Sequence, residues 1–348
     1  MAVDFALTAD QEAVQELFGT FFAKESPPAV ARGAEPLGFD ADLWAKLGEL
    51  GAPGMGCAET DGGGGAALTD LVVVAEEVGR SIAPVPLIDH VVAARCAPSA
   101  DVVAGDAIAG VALAPADADG IWRLVPSGAV AHVVVGVDGD EFVAVRSEPP
   151  GNGPLNHGCQ PMADRSARDG ERQVLGPASD FATALAEWRT LTAAALVGIT
   201  EQALDMGVAY AMERHQFGVP IGSFQSVQHG LADLPVLVDG GRMLTHKAAW
   251  AATLGAAGGE GVGGIVDVDD NTYTDFATLA YMAFLFTGEA ATTSTHRSLH
   301  YHGGYGFAEE YDIQLYYRRA RGWRLVAGSP NDQLLALADL LVGPSKEA

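Results

Sequence analysis

The sequence is poor in basic residues and in cysteine. Its 348 residues include 20 Lys and Arg against 45 Asp and Glu, which gives a formal net charge of −25. A polyanion such as DNA or RNA would be repelled by this charge, so the composition argues against a nucleic-acid partner. The three cysteines, Cys57, Cys96 and Cys159, are an odd number without metal-ligand spacing. They argue against a disulfide framework and a metal site, and they fit a reducing cytoplasm.

Long apolar runs are also missing. No uninterrupted apolar stretch approaches the roughly 20 residues that a membrane-spanning helix needs. The first eight residues lack the basic and apolar regions of an export signal. We therefore expect a soluble, cytoplasmic protein without membrane contact. Hydrophobic residues nevertheless make up 49% of the chain, which is enough for a full core divided among two or three domains.

The first 103 residues have apolar side chains at helical spacing. The first helix is predicted to be capped by Asp10 and to stop near Pro27. Further helices are predicted over 40–50 and 68–80. These elements define an N-terminal helical domain over residues 1–103.

From residue 104 the pattern changes to short β-favouring runs. The clearest are 130–137 and 141–145, which are joined by an Asp-Gly turn. We predict a small β domain over 104–180. Its last part, 147–180, is rich in glycine, proline and charge and is interpreted partly as loop.

Helical periodicity returns at Phe181 and continues to Leu341. Long helices of this kind pack together, so a C-terminal four-helix bundle is predicted in a domain over 181–348. The fold class is therefore predicted as α+β. Individual helices are predicted over 181–214, 224–254, 272–300 and 330–341, with a glycine-rich loop over 255–271.

Two blocks in the last domain carry recognisable motifs. The first starts at Arg214 and reads Arg-His-Gln-Phe-Gly-Val-Pro-Ile-Gly-Ser-Phe-Gln. The second, from His296 to Phe307, reads His-Arg-Ser-Leu-His-Tyr-His-Gly-Gly-Tyr-Gly-Phe. Together they resemble the flavin-binding signatures of the acyl-CoA dehydrogenase family. The resemblance extends over nearly the whole chain, is strongest over 181–325, and implies the fold of that family.

The resemblance also implies FAD as the cofactor. In the family, an arginine that matches Arg214 reaches the flavin pyrophosphate of a neighbouring subunit, and a guanidinium suits that anion because it donates two parallel charged hydrogen bonds. Glycines such as Gly303 and Gly304 let the backbone approach a dinucleotide closely. His300 stands where the family has glutamine. The expected FAD-binding residues are Arg214, Gln216, Phe217, Phe224, Gln225, His300, Gly303 and Gly304. The histidines of the second block have no carboxylate partner in the sequence, so no metal is expected.

The catalytic carboxylate of the family has no counterpart in this sequence. The two positions at which the family carries it fall at Ala327 and Trp188, and neither side chain accepts a proton. Glu187 is adjacent to the second position, but one helical step rotates a side chain by about 100 degrees, so we expect it to point elsewhere. Glu187 is kept as the alternative base, with Asp332 as a further candidate. The polar segment under the flavin ring is also missing, because 114–117 reads Ala-Pro-Ala-Asp.

An intact flavin clamp without a base predicts a subunit of a heteromeric FAD-dependent acyl-CoA dehydrogenase that lends FAD-binding residues to a catalytic partner. The resemblance is to the non-catalytic subunit of actinobacterial α2β2 enzymes that act on steroid-derived CoA thioesters. It implies an acyl-CoA substrate and an electron-transferring flavoprotein as electron acceptor. Two alternatives stay open, a self-sufficient homotetrameric dehydrogenase with Glu187 as base and a flavin-free scaffold protein.

Overall fold

A computed structural model describes residues 5–256 and 275–342 of the chain. Helices precede and follow a group of strands, so the predicted α+β class is confirmed. Apart from its first two residues, the loop predicted over 255–271 lies outside the described residues. No helix in the described ranges combines the length and the apolar character needed to cross a membrane.

The first part of the chain is helical. Helix α1 begins differently from the prediction, because Thr8 and not Asp10 is its N-cap. The Thr8 side chain accepts a hydrogen bond from the Gln11 backbone, and the Gln11 side chain accepts one from the Thr8 backbone. This reciprocal pair satisfies two backbone donors, whereas Asp10 lies within the first turn. The helices are α1 Ala9–Glu25, α2 Pro28–Gly33, α3 Ala41–Glu49, α4 Leu68–Arg80, α5 Leu87–Cys96 and α6 Ala100–Ala104.

Six strands form two small sheets in the middle of the chain. The larger sheet has the order β1-β3-β4-β6, in which only the β1 and β3 pair is parallel, and β2 pairs antiparallel with β5. The fully buried Trp122 of β2 donates from its indole nitrogen to the Val137 carbonyl of β3, which joins the two sheets. Two strands lie within 147–180, which the sequence indicated partly as loop. The strands are β1 Ala109–Val111, β2 Ile121–Val125, β3 Val133–Asp138, β4 Glu141–Arg146, β5 Ala163–Ser166 and β6 Glu171–Pro177.

The last part of the chain is a bundle of long helices with one short hairpin. Its central helices pack on each other. A single helix was predicted over 224–254, but the structure has two helices there, because the first ends at Ala232 and the second begins at Leu234. The helix over 313–325 was not predicted. The elements are α7 Phe181–Glu213, β7 His215–Gln216, β8 Val219–Pro220, α8 Gln225–Ala232, α9 Leu234–Ala256, α10 Phe276–Tyr301, α11 Ile313–Leu325 and α12 Pro330–Val342.

Glycines bring α4 and α7 into backbone contact. A methyl group on Gly79 would lie 1.8 Å from the Ala195 carbonyl oxygen, and one on Gly198 would lie 2.0 Å from the Glu76 carbonyl oxygen. Each glycine therefore meets the backbone of the opposite helix. Because no larger residue fits, this contact fixes the first helical part against the bundle.

Helix α11 ties the three parts of the chain together. Arg318 and Arg319 hold the carboxylate of Glu35, with nitrogen to oxygen distances of 2.7 and 3.1 Å. A Cβ atom on Gly322 would lie only 2.3 Å from the Cα atom of Gly158. The segment after β4 and the end of α2 are thus both fixed to the same helix.

Candidate functional site

The first motif forms a hairpin that projects from the end of α7. Strands β7 and β8 are joined by Phe217 and Gly218, whose φ angles are +56° and +85°. Positive φ at both turn residues is the signature of a tight two-residue hairpin. The Phe217 side chain is 93% exposed and its ring meets Phe224 edge to face at a centroid distance of 6.2 Å. Phe217 therefore faces solvent and does not pack in the core.

The second motif lies directly beside the first. After α10 the chain forms a short 3₁₀ turn over Gly303–Phe307. The Arg214 guanidinium lies 5.6 Å from the centroid of the Tyr305 ring in this turn, within cation–π range. The Tyr210 ring of α7 stacks on His302 at 4.0 Å. Two blocks that are far apart in sequence thus share one surface.

Helix α8 is held against the same end of α10. The Tyr301 hydroxyl donates to the Ser226 carbonyl at 3.4 Å, and Arg297 donates to the Gly230 carbonyl at 2.7 Å. Gln225 and His300, the neighbours of Ser226 and Tyr301 in sequence, are both exposed. These contacts bring the predicted FAD-binding residues to one end of the bundle. We call this set the Arg214 surface, which comprises Arg214, Gln216, Phe217, Phe224, Gln225, His300, Gly303, Gly304 and Tyr305.

The chemistry of the Arg214 surface fits a dinucleotide. Arg214 has no carboxylate within 4 Å in the part of the chain that the structure describes, so its charge is available for an anion. A Cβ atom on Gly303 or Gly304 would meet nothing within 4 Å, so the backbone there is open to a ligand. Amide groups and exposed aromatic rings complete a set that can hold phosphates and planar rings. Sequence reasoning did not include Tyr305 among these residues.

The two positions that match the family's catalytic base hold side chains that cannot act as a base. Trp188 is 2% exposed, donates from its indole nitrogen to Asp89 Oδ1 at 2.7 Å, and packs on Phe284. Ala327 is half-buried against the core. An indole fills one position and a methyl group the other, and neither can take a proton from carbon.

Glu187, the alternative base, is held in an ion pair. Its two oxygens each accept a hydrogen bond of 3.0 Å from the guanidinium of Arg95, and the residue is 9% exposed. Arg95 also donates to the Gly56 carbonyl at 2.7 Å. The pair joins α5 to α7, 92 residues apart in sequence, so no sequence pattern indicated it. Asp332, the further candidate, is exposed in the first turn of α12.

The carboxylate of Asp89 has an unusual environment. It is buried, and the Trp188 indole is its hydrogen-bond partner. Burial raises the pKa of Asp89 to about 7, while the indole hydrogen bond opposes that rise. Among the described residues, no group of three or more His, Cys, Asp or Glu side chains could hold a metal ion.

Known proteins resemble the chain along its length. Residues 8–99 match the family profile described as acyl-CoA dehydrogenase, N-terminal domain, and residues 179–341 match acyl-CoA dehydrogenase, C-terminal domain. The chain is 30% identical to acyl-CoA dehydrogenase IpdE2 of Mycolicibacterium smegmatis, over 95% of this chain and 98% of that protein. It is 32% identical to IpdE2 of Mycobacterium tuberculosis, over 94% and 96% of the two chains.

Two solved structures resemble the chain in fold and sequence. A chain of the ChsE4-ChsE5 complex from Mycobacterium tuberculosis superposes with a TM-score of 0.81 at 25% identity, covering 99% of this chain and 100% of that one. A chain of the Tcur3481-Tcur3483 steroid ACAD superposes with a TM-score of 0.79 at 28% identity, covering 95% and 97%. Each of these proteins is named for two polypeptides.

Proposed function

Because the chain belongs to the acyl-CoA dehydrogenase family, we propose that it is the subunit of a heteromeric FAD-dependent acyl-CoA dehydrogenase that lends FAD-binding residues to a catalytic partner. One observation carries the proposal. The Arg214 surface is assembled and open, whereas the two base positions hold Trp188 and Ala327. When bound, FAD accepts a hydride during the dehydrogenation of an acyl-CoA thioester.

The residues of the Arg214 surface have separable tasks in this proposal. Arg214 neutralises the pyrophosphate of FAD, since its guanidinium is exposed beside Tyr305 without a carboxylate partner among the described residues. Phe217 packs on a planar part of the cofactor from the tip of its hairpin. Gly303 and Gly304 allow close backbone approach.

The exposure of these groups supports a shared site. A cofactor pocket normally buries most of the surface of its ligand. Phe217 at 93% exposure and Tyr305 at 47% form only one open wall of such a pocket. A neighbouring subunit therefore supplies the other wall, and because Trp188 and Ala327 occupy the base positions of this chain, that subunit also supplies the catalytic base.

The two alternatives fit the geometry less well. A homotetramer with Glu187 as base would require this carboxylate to leave the bidentate pair with Arg95, which would strand a partly buried cation. A flavin-free scaffold would leave the open Arg214 surface without a ligand. A heteromer accounts for both the Glu187–Arg95 ion pair and the open Arg214 surface.

The relatives support a class of substrate for the proposed complex. One solved structure that resembles this chain is of a steroid ACAD, and we propose a steroid-derived acyl-CoA thioester as the substrate of the complex. An electron-transferring flavoprotein is the proposed electron acceptor, and the α2β2 heterotetramer the proposed assembly. A soluble, cytoplasmic location completes the proposal.

The test is co-expression with an acyl-CoA dehydrogenase-like polypeptide that carries the catalytic carboxylate, followed by size-exclusion chromatography with flavin absorbance. A yellow mixed complex is expected, with a colourless chain when this protein is purified alone. Arg214→Ala should leave the complex assembled but remove most of its flavin, whereas Arg321→Ala, an exposed arginine outside the Arg214 surface, should not. A chain that is yellow alone and reduced by an acyl-CoA would overturn the proposal.

A further inference from the structure

Arg214 has a fixed backbone and an exposed side chain. Its N–H donates to the Tyr210 carbonyl at 2.8 Å, and its own carbonyl accepts a 2.7 Å hydrogen bond from the Ile221 N–H, where the hairpin closes. In the described part of the chain, no ion pair holds the guanidinium. A free arginine side chain samples many rotamers, so ordering it on a ligand costs conformational entropy. A contact that orders the guanidinium beforehand lowers that cost.

The Tyr305 ring provides such a contact, 5.6 Å from the Arg214 guanidinium carbon. The turn that carries Tyr305 is itself fixed. The ring packs on the Tyr311 ring with centroids 5.2 Å apart. A Cβ atom on the next residue, Gly306, would lie 2.5 Å from the Leu299 carbonyl oxygen, so the turn lies directly against the end of α10. Tyr305 is therefore supported on the protein side while 47% of the residue stays exposed.

A second aromatic contact sets the spacing between the two residues. Tyr210 precedes Arg214 by one helical turn, and His302 precedes Tyr305 by three residues. The Tyr210 and His302 rings stack at 4.0 Å, and the Tyr210 hydroxyl donates to the His302 carbonyl at 3.4 Å. His302 Nδ1 in turn donates to the Ser298 carbonyl at 2.7 Å. The end of α7 and the turn after α10 are thus joined just beside Arg214 and Tyr305.

We propose that Tyr305 is a positioning residue that holds the Arg214 guanidinium ready for the pyrophosphate of FAD, with Tyr311 supporting its ring. The inference rests on the proposed function. A carboxylate partner would occupy N–H groups of the guanidinium and cancel its charge. An aromatic ring attracts the cation through its π electrons and leaves the charge and the N–H donors in place. Tyr305 can therefore order Arg214 without competing with the anion.

The experiment measures FAD binding by the complex of this chain with an acyl-CoA dehydrogenase-like polypeptide that carries the catalytic carboxylate. Tyr305→Leu should weaken FAD binding about two- to fivefold, the range expected for an exposed cation–π contact. Tyr305→Phe keeps the ring and should bind FAD like the wild type. In an Arg214→Ala background, Tyr305→Leu should have no further effect, because a positioning residue acts through the arginine. Fluorescence of released flavin gives the dissociation constants.

The matched control is Tyr317→Leu. Tyr317 makes the same kind of contact with Arg321, at 4.7 Å from the guanidinium carbon to the ring centroid, outside the Arg214 surface. Its loss should leave FAD binding unchanged. Light scattering of the complex and thermal unfolding of the free chain measure assembly and folding separately. If Tyr305→Leu disturbs folding, Tyr311→Leu removes only the support of the ring and should show a smaller loss of FAD binding with the same dependence on Arg214.

Several results would overturn the positioning role. Unchanged FAD binding in Tyr305→Leu would do so directly. Equal losses with and without Arg214 would show that Tyr305 contacts the cofactor itself, and a loss in Tyr305→Phe would assign its role to the hydroxyl group. Each of these leaves the proposed function standing as long as Arg214→Ala loses flavin. A wild-type complex that binds no FAD would overturn both proposals.

Discussion

The indole nitrogen of Trp188 donates a 2.7 Å hydrogen bond to the buried carboxylate of Asp89. The bond joins α5 to α7 at one of the two positions to which the family resemblance assigns the catalytic carboxylate. The carboxylate found here is that of Asp89 on α5, and the Trp188 indole on α7 is its hydrogen-bond partner. Its surroundings make the stability of the protein depend on pH.

Asp89→Asn should remove a stability loss that the wild type suffers as the pH rises. Burial raises the pKa of Asp89 from 3.8 to about 7, so the folded state keeps a proton that the unfolded state releases. The retained proton contributes to the free energy of unfolding. Its contribution is complete below about pH 4 and is lost as the pH rises towards 7. Between pH 4.5 and 8 the wild type should lose on the order of 2–4 kcal/mol relative to the variant.

Urea unfolding of both proteins at several pH values measures this difference. Each protein is compared with itself at different pH values, so the constant free-energy difference between burying an amide and burying an acid cancels. A difference between the two proteins that stays flat from pH 4.5 to 8 would contradict the raised pKa of Asp89.

Glu187→Gln should lower stability and spare activity. Removing the carboxylate leaves the partly buried guanidinium of Arg95 without its counter-charge, which costs about 2–3 kcal/mol. The change should appear in thermal unfolding of the isolated chain. Turnover of the assembled complex should stay within about twofold of wild type, whereas loss of a general base lowers it by roughly a hundredfold or more. A drop of that size would restore Glu187 as the base.

Phe217→Asn should stabilise the free chain and weaken flavin binding. A phenylalanine at a φ of +56° is strained, and asparagine adopts this conformation more readily. We expect a gain of about 0.5–1 kcal/mol in the free energy of unfolding. The complex should release FAD more readily, which fluorescence of free flavin measures. Gly218→Ala is the opposite test of the same turn. Its φ of +85° favours glycine, so alanine should lower the stability of the chain. A stabilised Gly218→Ala chain would refute this account.

Gly198→Ala should be strongly destabilising. The new methyl group would lie 2.0 Å from the Glu76 carbonyl oxygen, where backbone atoms cannot move aside cheaply. The expected cost is about 3 kcal/mol, at the upper end for overpacking. Gly33→Ala is the matched control, since a Cβ atom there meets nothing within 4 Å. Its stability should be unchanged or slightly higher, and equal effects of the two changes would contradict the close contact of α4 and α7.

The sequence predicted elements wherever the pattern was local and long. Helix α7 was predicted over 181–214 and spans Phe181–Glu213, and α4 was predicted with the bounds it has. Helix α11 was missed because its sequence is dominated by arginine and tyrosine, so apolar spacing is weak, and these side chains are fixed by distant partners such as Glu35. Thr8 was passed over for Asp10, although both residue types cap helices.

The candidate site shows the same contrast between local sequence patterns and contacts of residues far apart in sequence. The motif residues of the Arg214 surface could be predicted because the two blocks are recognisable on their own. The contacts of Trp188 with Asp89 and of Glu187 with Arg95 could not, since they join residues 99 and 92 positions apart. Such pairs depend on how two helices dock, and periodicity within either helix carries no information about that.

The link between Glu35 and α11 has a consequence for biosynthesis. The carboxylate of Glu35 and the guanidinium of Arg318 are 283 positions apart. At about 5–20 residues per second, roughly 15 to 60 seconds separate their emergence from the ribosome. During that interval the N-terminal helices can form, but the surface that α11 later covers stays open to solvent and to chaperones. Truncated products that stop before α11 therefore expose this surface permanently, which marks them for quality control.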